Sequence, residues 1–497
     1  MERWQIVTAV VSLYLLVTLA VGLVSGRRAT TGVTGYVAAD RRFGVLPMYF
    51  IIGGTVFSAF AFLGAPGWAY SRGVAVLYIL SYGVIGIAPW YFIGPRAARL
   101  GRSHGIVTQA QMVCARFPNR PLSALLAILS VAAAIPYIML QMSGAGIVFD
   151  AVTQGHVPFW LGAALAYGVV VLYVLLGGAT AVGWTNVFQG IVMMAVAWGI
   201  GLYLPASLYG GVGPMFERIA DTRPELLILP GLGPGGESWS WGAYSSAILS
   251  SAVGLMMWPH LFMKAFTARD ERTLRRTVVL FPTFQLFLVP LILVGFAGVL
   301  FPSSPANADS VLPHLILETS LPALIVGLFC AGALAASMST GDTLLHGAAS
   351  IAIEDGISPF VQLSEARRKF MMQVLVLSIG GFAYWLAIVQ QRSLVWLLLT
   401  AYGIVDQLAP PVYAALFWRR ATTPGVLAGL FAGICTTVFF FLNPTFRPFE
   451  IHEGILGLVV NIAVLMTVSL LTRAQSQPHV QSFLTPAEEP AVAESLR

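Results

Sequence analysis

The chain has 497 residues, of which 57% are apolar and only 10% are charged. Roughly 25% of the residues in an ordinary soluble domain are charged, so most of this chain has no aqueous surface to cover. This composition excludes a soluble fold and predicts an all-α integral membrane protein, and the net charge of +6 indicates attraction to anionic lipid rather than to nucleic acid.

Apolar stretches that can cross a hydrocarbon core about 30 Å thick recur from the N-terminus to about residue 472. The first stretch is too long for the apolar region of a signal peptide, follows Glu2 and ends in Gly26-Arg27-Arg28 rather than at a cleavage site, so we interpret it as a membrane helix. We predict about thirteen transmembrane segments, over residues 5–25, 44–64, 74–98, 122–150, 158–177, 184–206, 242–264, 276–301, 321–350, 369–390, 394–418, 424–442 and 454–472.

The second and seventh segments contain residues that interrupt helices. Gly53-Gly54 lies at mid-depth in the second, and the seventh contains Ser251–Gly254 followed by Pro259. Paired interruptions in two halves of a chain point to a transporter's binding site. Segments two to six and seven to eleven each number five, and an odd repeat unit inserts its second copy upside down, which predicts two inverted repeats. Alternatively, the glycines serve only close helix packing, and their spacing does not decide between the two.

The chain is expected to form one compact bundle. The glycine-rich run Gly231–Gly236 in its longest loop is interrupted by Pro234 and follows no strand, so we interpret it as a flexible turn rather than a phosphate-binding loop. Cys114, Cys330 and Cys435 form neither a disulfide framework nor a metal-binding pattern and are interpreted as packing residues. The predicted divisions are an extra helix (1–30), a first repeat (31–206), an extracellular loop (207–241), a second repeat (242–420), two C-terminal helices (421–473) and a disordered cytoplasmic tail (474–497).

The basic residues predict the orientation of the chain. With the N-terminus outside, 21 of the 27 Lys and Arg residues fall on the cytoplasmic side, as is usual for loops near membrane helices. We therefore expect a multi-pass protein of the cell (inner) membrane with a cytoplasmic C-terminus.

Six motifs, in this order and spacing, resemble the sodium:solute symporter family, which includes proline, pantothenate, monocarboxylate and sugar carriers. The resemblance implies the thirteen-helix topology, a LeuT-like fold of inverted five-helix repeats with broken helices, and sodium-coupled import of a small solute. It runs from about Tyr36 to Arg420 and is carried by Gly35–Gly44, Phe57–Gly67, Gly177–Asn186, Trp258–His260, Ala335–Asp342 and Leu416–Arg420.

The resemblance implies a sodium site between the second and ninth segments. Unwound carbonyls and hydroxyls can replace the ion's water without a formal charge. Taken alone, Ser and Thr in membrane helices more often bond back to their own helix. Sodium is the expected coupling ion, no organic cofactor is expected, and the implied ligands are the carbonyls of Gly54, Phe57 and Ala336 and the hydroxyls of Ser339 and Thr340.

Two further residues bear on the ions. Asp342 follows Thr340 by two residues, and an ionisable group at such depth is functional by default because burying it is expensive. We expect it to orient the sodium site or to couple its occupancy to closure; alternatively it is a hydrogen-bonded aspartate in helix packing. Asn186 stands where many family members have an aspartate associated with a second sodium pathway. Because an amide offers no charge, we predict one sodium per solute at most.

The solute is expected beside the two breaks, facing segments four and eleven. Tyr137 and Gln141 are four residues apart and share one helix face. Alternatively these polar groups satisfy one another in the core, and Trp258 and His260 are packing residues. The candidate solute-binding residues are Thr55, Tyr137, Gln141, Trp258 and Asp406, the last followed by Gln407.

The nature of the solute follows from what the core lacks. Segments two to six hold few polar groups and no deep Lys or Arg, which disfavours a sugar. The dipole ends of broken helices can still hold a carboxylate, and the motifs Pro66–Tyr70 and Pro136–Gln141 are most similar to monocarboxylate carriers. We predict a sodium:monocarboxylate symporter working by alternating access. The alternatives are a carrier of proline or another small amino acid, a transport-like nutrient sensor and a channel.

Other classes of protein are disfavoured by the residues present. Neither a metal-spaced His/Cys/Asp cluster nor a nucleophile-base constellation is found in the sequence, so an enzyme is not expected. The expected partners are the small solute, sodium and the lipid bilayer, with no nucleic acid and no obligate protein partner.

Overall fold

The structure is a computed structural model that describes residues 2–27, 32–319, 321–390 and 394–484. Throughout these ranges the regular secondary structure is helical, with two isolated bridges, Phe43 to Ala268 and Leu232 to Ser238. The predicted all-α class is confirmed. Arg28, Arg392 and Arg497, which contribute to the predicted orientation, lie outside the described residues.

The first part of the chain, up to the long loop, is built of helices of very different lengths. They are α1 (Arg3–Gly26), α2 (Val33–Ala38), α3 (Val45–Val56), α4 (Ala65–Arg72), α5 (Leu77–Ile87), α6 (Trp90–His104), α7 (Gln109–Arg116), α8 (Arg120–Val152) and α9 (Phe159–Tyr209).

The remainder of the chain continues in the same way. Its helices are α10 (Val212–Thr222), α11 (Trp241–Gly254), α12 (Pro259–Phe262), α13 (Glu271–Gln285), α14 (Leu288–Val299), α15 (Val311–Glu318), α16 (Ala323–Ile351), α17 (Glu365–Val389), α18 (Leu394–Val405), α19 (Ala409–Phe417), α20 (Thr423–Leu442), α21 (Glu453–Leu471) and α22 (Gln477–Leu484).

In the described part of the chain, nine helices are long and apolar enough to cross a membrane, or ten if the bent pair Trp241–Met257 and Pro259–Phe266 counts as one span. Each predicted segment coincides with a helix or an interrupted helix. Predicted segments five and six correspond to two helical parts of α9, which are separated by the non-helical residue Gly178, where φ is 52° and ψ is −145°. A Cβ there would lie 2.6 Å from the Tyr36 carbonyl oxygen, so only glycine fits this turn.

Both predicted helix breaks occur in the structure. After α3 the chain leaves helical geometry at Phe57, with φ −98° and ψ 99°, and resumes at Phe60. The seventh segment bends by 47° at Trp258, immediately before Pro259. These two discontinuities expose backbone groups in the interior of the bundle, where carbonyls and amides can serve a ligand.

The glycine pair of the second segment has a different role from the one expected. Gly53 and Gly54 lie inside α3, and the break follows them by three residues. A Cβ on Gly53 would lie 2.5 Å from the Phe284 ring, and one on Gly54 would lie 3.3 Å from the Asn186 carbonyl oxygen. Their role is therefore the close approach of neighbouring helices, the packing alternative left open by the sequence.

Helix α16 lies at the centre of the bundle. Every residue from Phe329 to Ile351 is buried, and the helix packs against α1, α3, α8, α9 and α17. The outer helices instead present large apolar side chains outward, such as Leu13, Phe431 and Leu471, as expected of surfaces in contact with lipid. Polar side chains on α16 therefore have to find partners within the protein.

Two regions expected to be irregular contain helices. The long loop between segments six and seven includes α10, which buries Met215 and Ile219. The tail, expected to be disordered, forms α22, which buries Val480 and Phe483; the His479 ring contacts the Arg116 carbonyl oxygen at 3.0 Å. The rest of the predicted tail, residues 485–497, lies outside the described residues.

Candidate functional site

The first break and the central helix α16 meet through two hydroxyl groups. Ser339 Oγ donates to the Gly54 carbonyl oxygen at 2.7 Å, and Thr340 Oγ1 donates to the Thr55 carbonyl oxygen at 3.0 Å. Ser339 Oγ also lies 3.2 Å from the Ala336 carbonyl oxygen. The structure thus brings four of the five expected sodium ligands together, and all are buried.

Phe57, the fifth expected ligand, opens the break itself. Its amide donates to the Gly53 carbonyl oxygen at 3.0 Å. Its ring stacks on Phe281 and Phe284, with centroids 5.6 and 5.8 Å away. These contacts hold the backbone at the break in place, while the role of its carbonyl as a ligand stays a prediction.

Asp342 lies one helical turn beyond Ser339 and is fully buried. It accepts hydrogen bonds from Tyr173 OH at 2.7 Å, Thr185 Oγ1 at 3.2 Å and Thr343 Oγ1 at 3.1 Å. Three hydroxyl donors from two helices therefore fix the carboxylate beside the candidate sodium ligands.

Asn186 joins the two sides of this region. Its Nδ2 donates to Thr55 Oγ1 and to Thr343 Oγ1, each at 3.1 Å, while its Oδ1 is buried and has no hydrogen-bond donor among the described residues. Thr55, expected among the solute-binding residues, is instead placed in this hydroxyl-amide network. Its hydroxyl contacts Asn186 and Thr343, which adjoin the candidate sodium ligands.

Aromatic side chains surround the second break. The Tyr137 ring lies 4.8 Å from the Trp258 ring and 5.9 Å from His260. On the other side of Trp258, the Tyr402 ring lies 5.6 Å away. Tyr137 and Trp258, both expected at the solute site, are therefore in contact within a buried aromatic cluster.

Gln141 connects the solute candidates to the first break. Its Oε1 accepts a hydrogen bond from the Ala59 amide at 3.0 Å, and its backbone carbonyl accepts one from Ser337 Oγ at 2.7 Å. Its Nε2 is buried without an acceptor in the described part of the chain. Because an unmet buried donor is expensive, this nitrogen is a position at which a ligand oxygen would be stabilised.

Asp406 and Gln407 turn toward other helices. Ser250 Oγ donates to Asp406 Oδ2 at 2.5 Å. Gln407 Nε2 donates to the Gly454 carbonyl oxygen at 3.0 Å, and its Oε1 accepts from Asn461 at 3.2 Å. Gln407 thus belongs to the interface with α21, and the described hydrogen bond of Asp406 is to α11 rather than to Tyr137 or Gln141.

Some polar residues of this region are absent from the sequence-based candidates. Tyr173 and Tyr402 sit in apolar segments where an aromatic residue gives no functional signal. Lys264, the last residue of the predicted seventh segment, is buried, with Nζ 3.5 Å from Thr343 Oγ1. A lysine inside an apolar segment was a usable signal, because such residues are rare in membrane cores.

Comparison with known proteins agrees with this architecture. The family model described as the sodium:solute symporter family matches residues 36–433. Curated relatives include an uncharacterized symporter of Bacillus subtilis, YhjB, which is 28% identical over 92% of this chain and 96% of its own length. A monocarboxylate transport permease protein of Rhizobium johnstonii is 25% identical, over 88% of this chain and 90% of its own.

A solved structure supports the fold. The substrate-bound, outward-open structure of a Na+-coupled sialic acid symporter superposes with a TM-score of 0.79 at 18% sequence identity, covering 95% of this chain and 98% of the other. The fold is that of the LeuT-fold transporters. The protein is accordingly a membrane transporter and not an enzyme, with sodium as its coupling ion: the chain belongs to the sodium:solute symporter family.

Proposed function

We propose that this symporter imports a small monocarboxylate together with sodium by alternating access. The observation that carries the proposal is the Gln141 amide, whose Nε2 is buried without an acceptor among the described residues while its Oε1 accepts from the Ala59 amide. The Ala59 bond fixes which end of the amide donates. A carboxylate oxygen is the acceptor that this position lacks.

The solute's apolar part is assigned to the aromatic cluster. Tyr137 lies one turn before Gln141 on α8 and contacts Trp258, so a molecule bound at Gln141 extends toward these rings. No lysine or arginine is required at the carboxylate, because broken-helix ends and amide donors attract anions. The Rhizobium relative, named as a monocarboxylate permease, supports the same class of solute.

The sodium ion is assigned to the oxygens that meet at the first break. Ser339 and Thr340 donate to carbonyls of α3, and rotation of their hydroxyl protons away would leave oxygen atoms facing an ion. The carbonyls of Gly54, Phe57 and Ala336 complete the proposed set. Asp342, one helical turn from Ser339 and held by the hydroxyls of Tyr173 and Thr185, is assigned to orienting α16 at the site without ligating the ion.

The deciding experiment is uptake into proteoliposomes of labelled pyruvate, lactate, acetate, pantothenate and proline, with and without an inward sodium gradient. Sodium-dependent accumulation of pyruvate, lactate or acetate is expected. Accumulation of proline alone would overturn the monocarboxylate assignment and favour an amino-acid carrier. If no solute moves under either gradient, binding assays on the same panel would test whether the protein senses rather than transports.

We further propose that the protein lies in the inner membrane with its N-terminus outside. The asymmetry of the basic residues supports this orientation. A test uses a variant in which all three cysteines are replaced by alanine. Ser238→Cys, in the loop before α11, is expected to react with an impermeant maleimide in intact cells, whereas Gln362→Cys, in the loop before α17, is expected to react only after permeabilisation. The reverse pattern would invert the topology.

A further inference from the structure

Lys264 occupies an unusual position for its residue type. The chain contains only two lysines, and this one lies in the short helical turn Met263–Phe266 that ends the bent seventh segment. Its side chain is only 7% exposed. A buried ammonium group is expensive unless an opposite charge and hydrogen bonds compensate it, so its surroundings have to explain its presence.

Those surroundings point to Asp342. Lys264 Nζ donates to Thr343 Oγ1 at 3.5 Å, and Thr343 Oγ1 in turn lies 3.1 Å from Asp342 Oδ1. Thr343 Oγ1 thus bridges the Lys264 ammonium group and the Asp342 carboxylate. Two histidines, His260 and His346, also lie near the ammonium group in the described part of the chain, and neither imidazole can carry a negative charge. The hydroxyl donors to Asp342 are neutral, so Lys264 is the basic partner of this carboxylate.

The pair adjoins the proposed sodium site. Thr343 Oγ1 also lies 3.2 Å from the Ser339 carbonyl oxygen and 3.4 Å from Thr55 Oγ1. Asn186 donates to both threonine hydroxyls, and within the described ranges its buried Oδ1 receives no hydrogen bond. One hydroxyl, that of Thr343, therefore lies between the Lys264 ammonium group and the candidate sodium ligand Ser339. The oxygens around it form a set suited to a cation.

On the basis of the proposed sodium-coupled function, we propose that the Lys264 ammonium is a built-in cation that neutralises Asp342 and keeps a second sodium ion out of the Asn186–Thr343 network. The side chain takes the electrostatic place of an ion that would otherwise enter and leave in each cycle. Asn186 fits this arrangement, because an aspartate there would add a second negative charge to a network that one ammonium group balances.

The test is the number of ²²Na+ ions bound to the purified full-length protein at saturation. The wild type is expected to bind one ion. Lys264→Met removes the ammonium group, leaves Asp342 and the neighbouring oxygens, and is expected to bind two. The double variant Lys264→Met/Asp342→Asn removes both charges and is expected to return to one, as is Lys264→Arg, which keeps the positive charge.

The outcomes separate this inference from the proposed function. A wild type that binds no sodium would contradict the sodium site itself. If the wild type and folded Lys264→Met each bind one ion, the role given to Lys264 is overturned and sodium coupling is left intact. Binding of two ions by the wild type would have the same meaning. If Lys264→Met does not fold, Asp342→Asn decides. In this variant the uncompensated ammonium group is expected to weaken sodium binding about tenfold or more. The double variant should recover the wild-type sodium affinity. Unchanged affinity in Asp342→Asn would overturn the inference.

Discussion

The Ser339 hydroxyl donates a hydrogen bond of 2.7 Å to the carbonyl oxygen of Gly54, 285 residues away in the chain. Ser339 belongs to the buried helix α16, and Gly54 to the last turn before the first break. This bond joins a continuous helix to a segment whose backbone is interrupted. An ion bound between the two would therefore couple their relative position to its own occupancy.

Removing the two hydroxyls is expected to weaken sodium activation. Ser339→Ala and Thr340→Ala each delete an oxygen that the proposed ion would contact, and an interaction with a charged group is worth about 1.5–3 kcal/mol. Each variant should raise the sodium concentration for half-maximal uptake about tenfold or more, measured in proteoliposomes.

Ser350→Ala is the matched control for the hydroxyl variants, because Ser350 is buried in the same helix but bonds back to the His346 carbonyl oxygen at 2.7 Å. It should leave the sodium dependence unchanged. An unaltered sodium requirement in folded Ser339→Ala/Thr340→Ala would remove the site assignment.

The Gln141 amide is expected to determine the affinity for the carboxylate. Gln141→Glu keeps the size of the side chain and an oxygen for the Ala59 amide, but replaces the free donor by an oxygen. The KM for the transported monocarboxylate should rise about tenfold or more, with little change in the sodium requirement at saturating solute. Uptake kinetics at several solute concentrations measure both quantities.

Gln373→Glu serves as the control for this change. Gln373 lies on α17 and its amide already donates to the Leu175 carbonyl oxygen at 2.7 Å. Its replacement should not alter the KM. If Gln141→Glu transports with the wild-type KM, the carboxylate binds elsewhere, and the Gln141 amide no longer supports the proposed function.

Much of this arrangement follows from local sequence, and some does not. Pro259 and the apolar lengths of the segments predict the bend at Trp258 and the course of the helices, because both act within a few residues. The partners of Gln407 and Lys264 lie 54 and 79 residues away. These contacts depend on how the helices pack against one another, which the periodicity of the sequence does not show. The sequence therefore does not indicate that Gln407 contacts Asn461 or that Lys264 approaches Thr343.

The tail illustrates the same limit. Its composition predicts disorder, yet Gln477–Leu484 forms a helix that contacts Arg116, 363 residues away from His479. The surface on which this helix packs is supplied by α7 and α19 and cannot be predicted from the tail's own sequence. Gly53 shows the converse, since the residue was correctly singled out while its role depends on the Phe284 ring.

Gly53→Ala is therefore expected to destabilise the bundle. Its Cβ would lie 2.5 Å from Phe284, whose ring is fully buried, and such overpacking costs about 1–3 kcal/mol. The thermal unfolding temperature of the detergent-purified variant should fall, and adding Phe284→Leu should restore part of the loss. Gly168→Ala, in a helix position with nothing within 4 Å, should be neutral or slightly stabilising. Equal melting temperatures for Gly53→Ala and Gly168→Ala would contradict this packing.

The predicted coupling of one sodium to one solute has an electrical consequence. A monocarboxylate carries one negative charge, so transport with a single sodium moves no net charge, whereas two sodium ions would move one positive charge inward. At fixed sodium and solute gradients, wild-type uptake should be indifferent to an inside-negative potential set with potassium and valinomycin. Uptake by Lys264→Met, with its expected second ion, should be stimulated by the same potential.

The zwitterion proline gives the opposite wild-type result, because one sodium would then carry one net charge. Stimulation of wild-type monocarboxylate uptake by the potential would show that more than one cation accompanies the solute, against the roles given to Asn186 and Lys264.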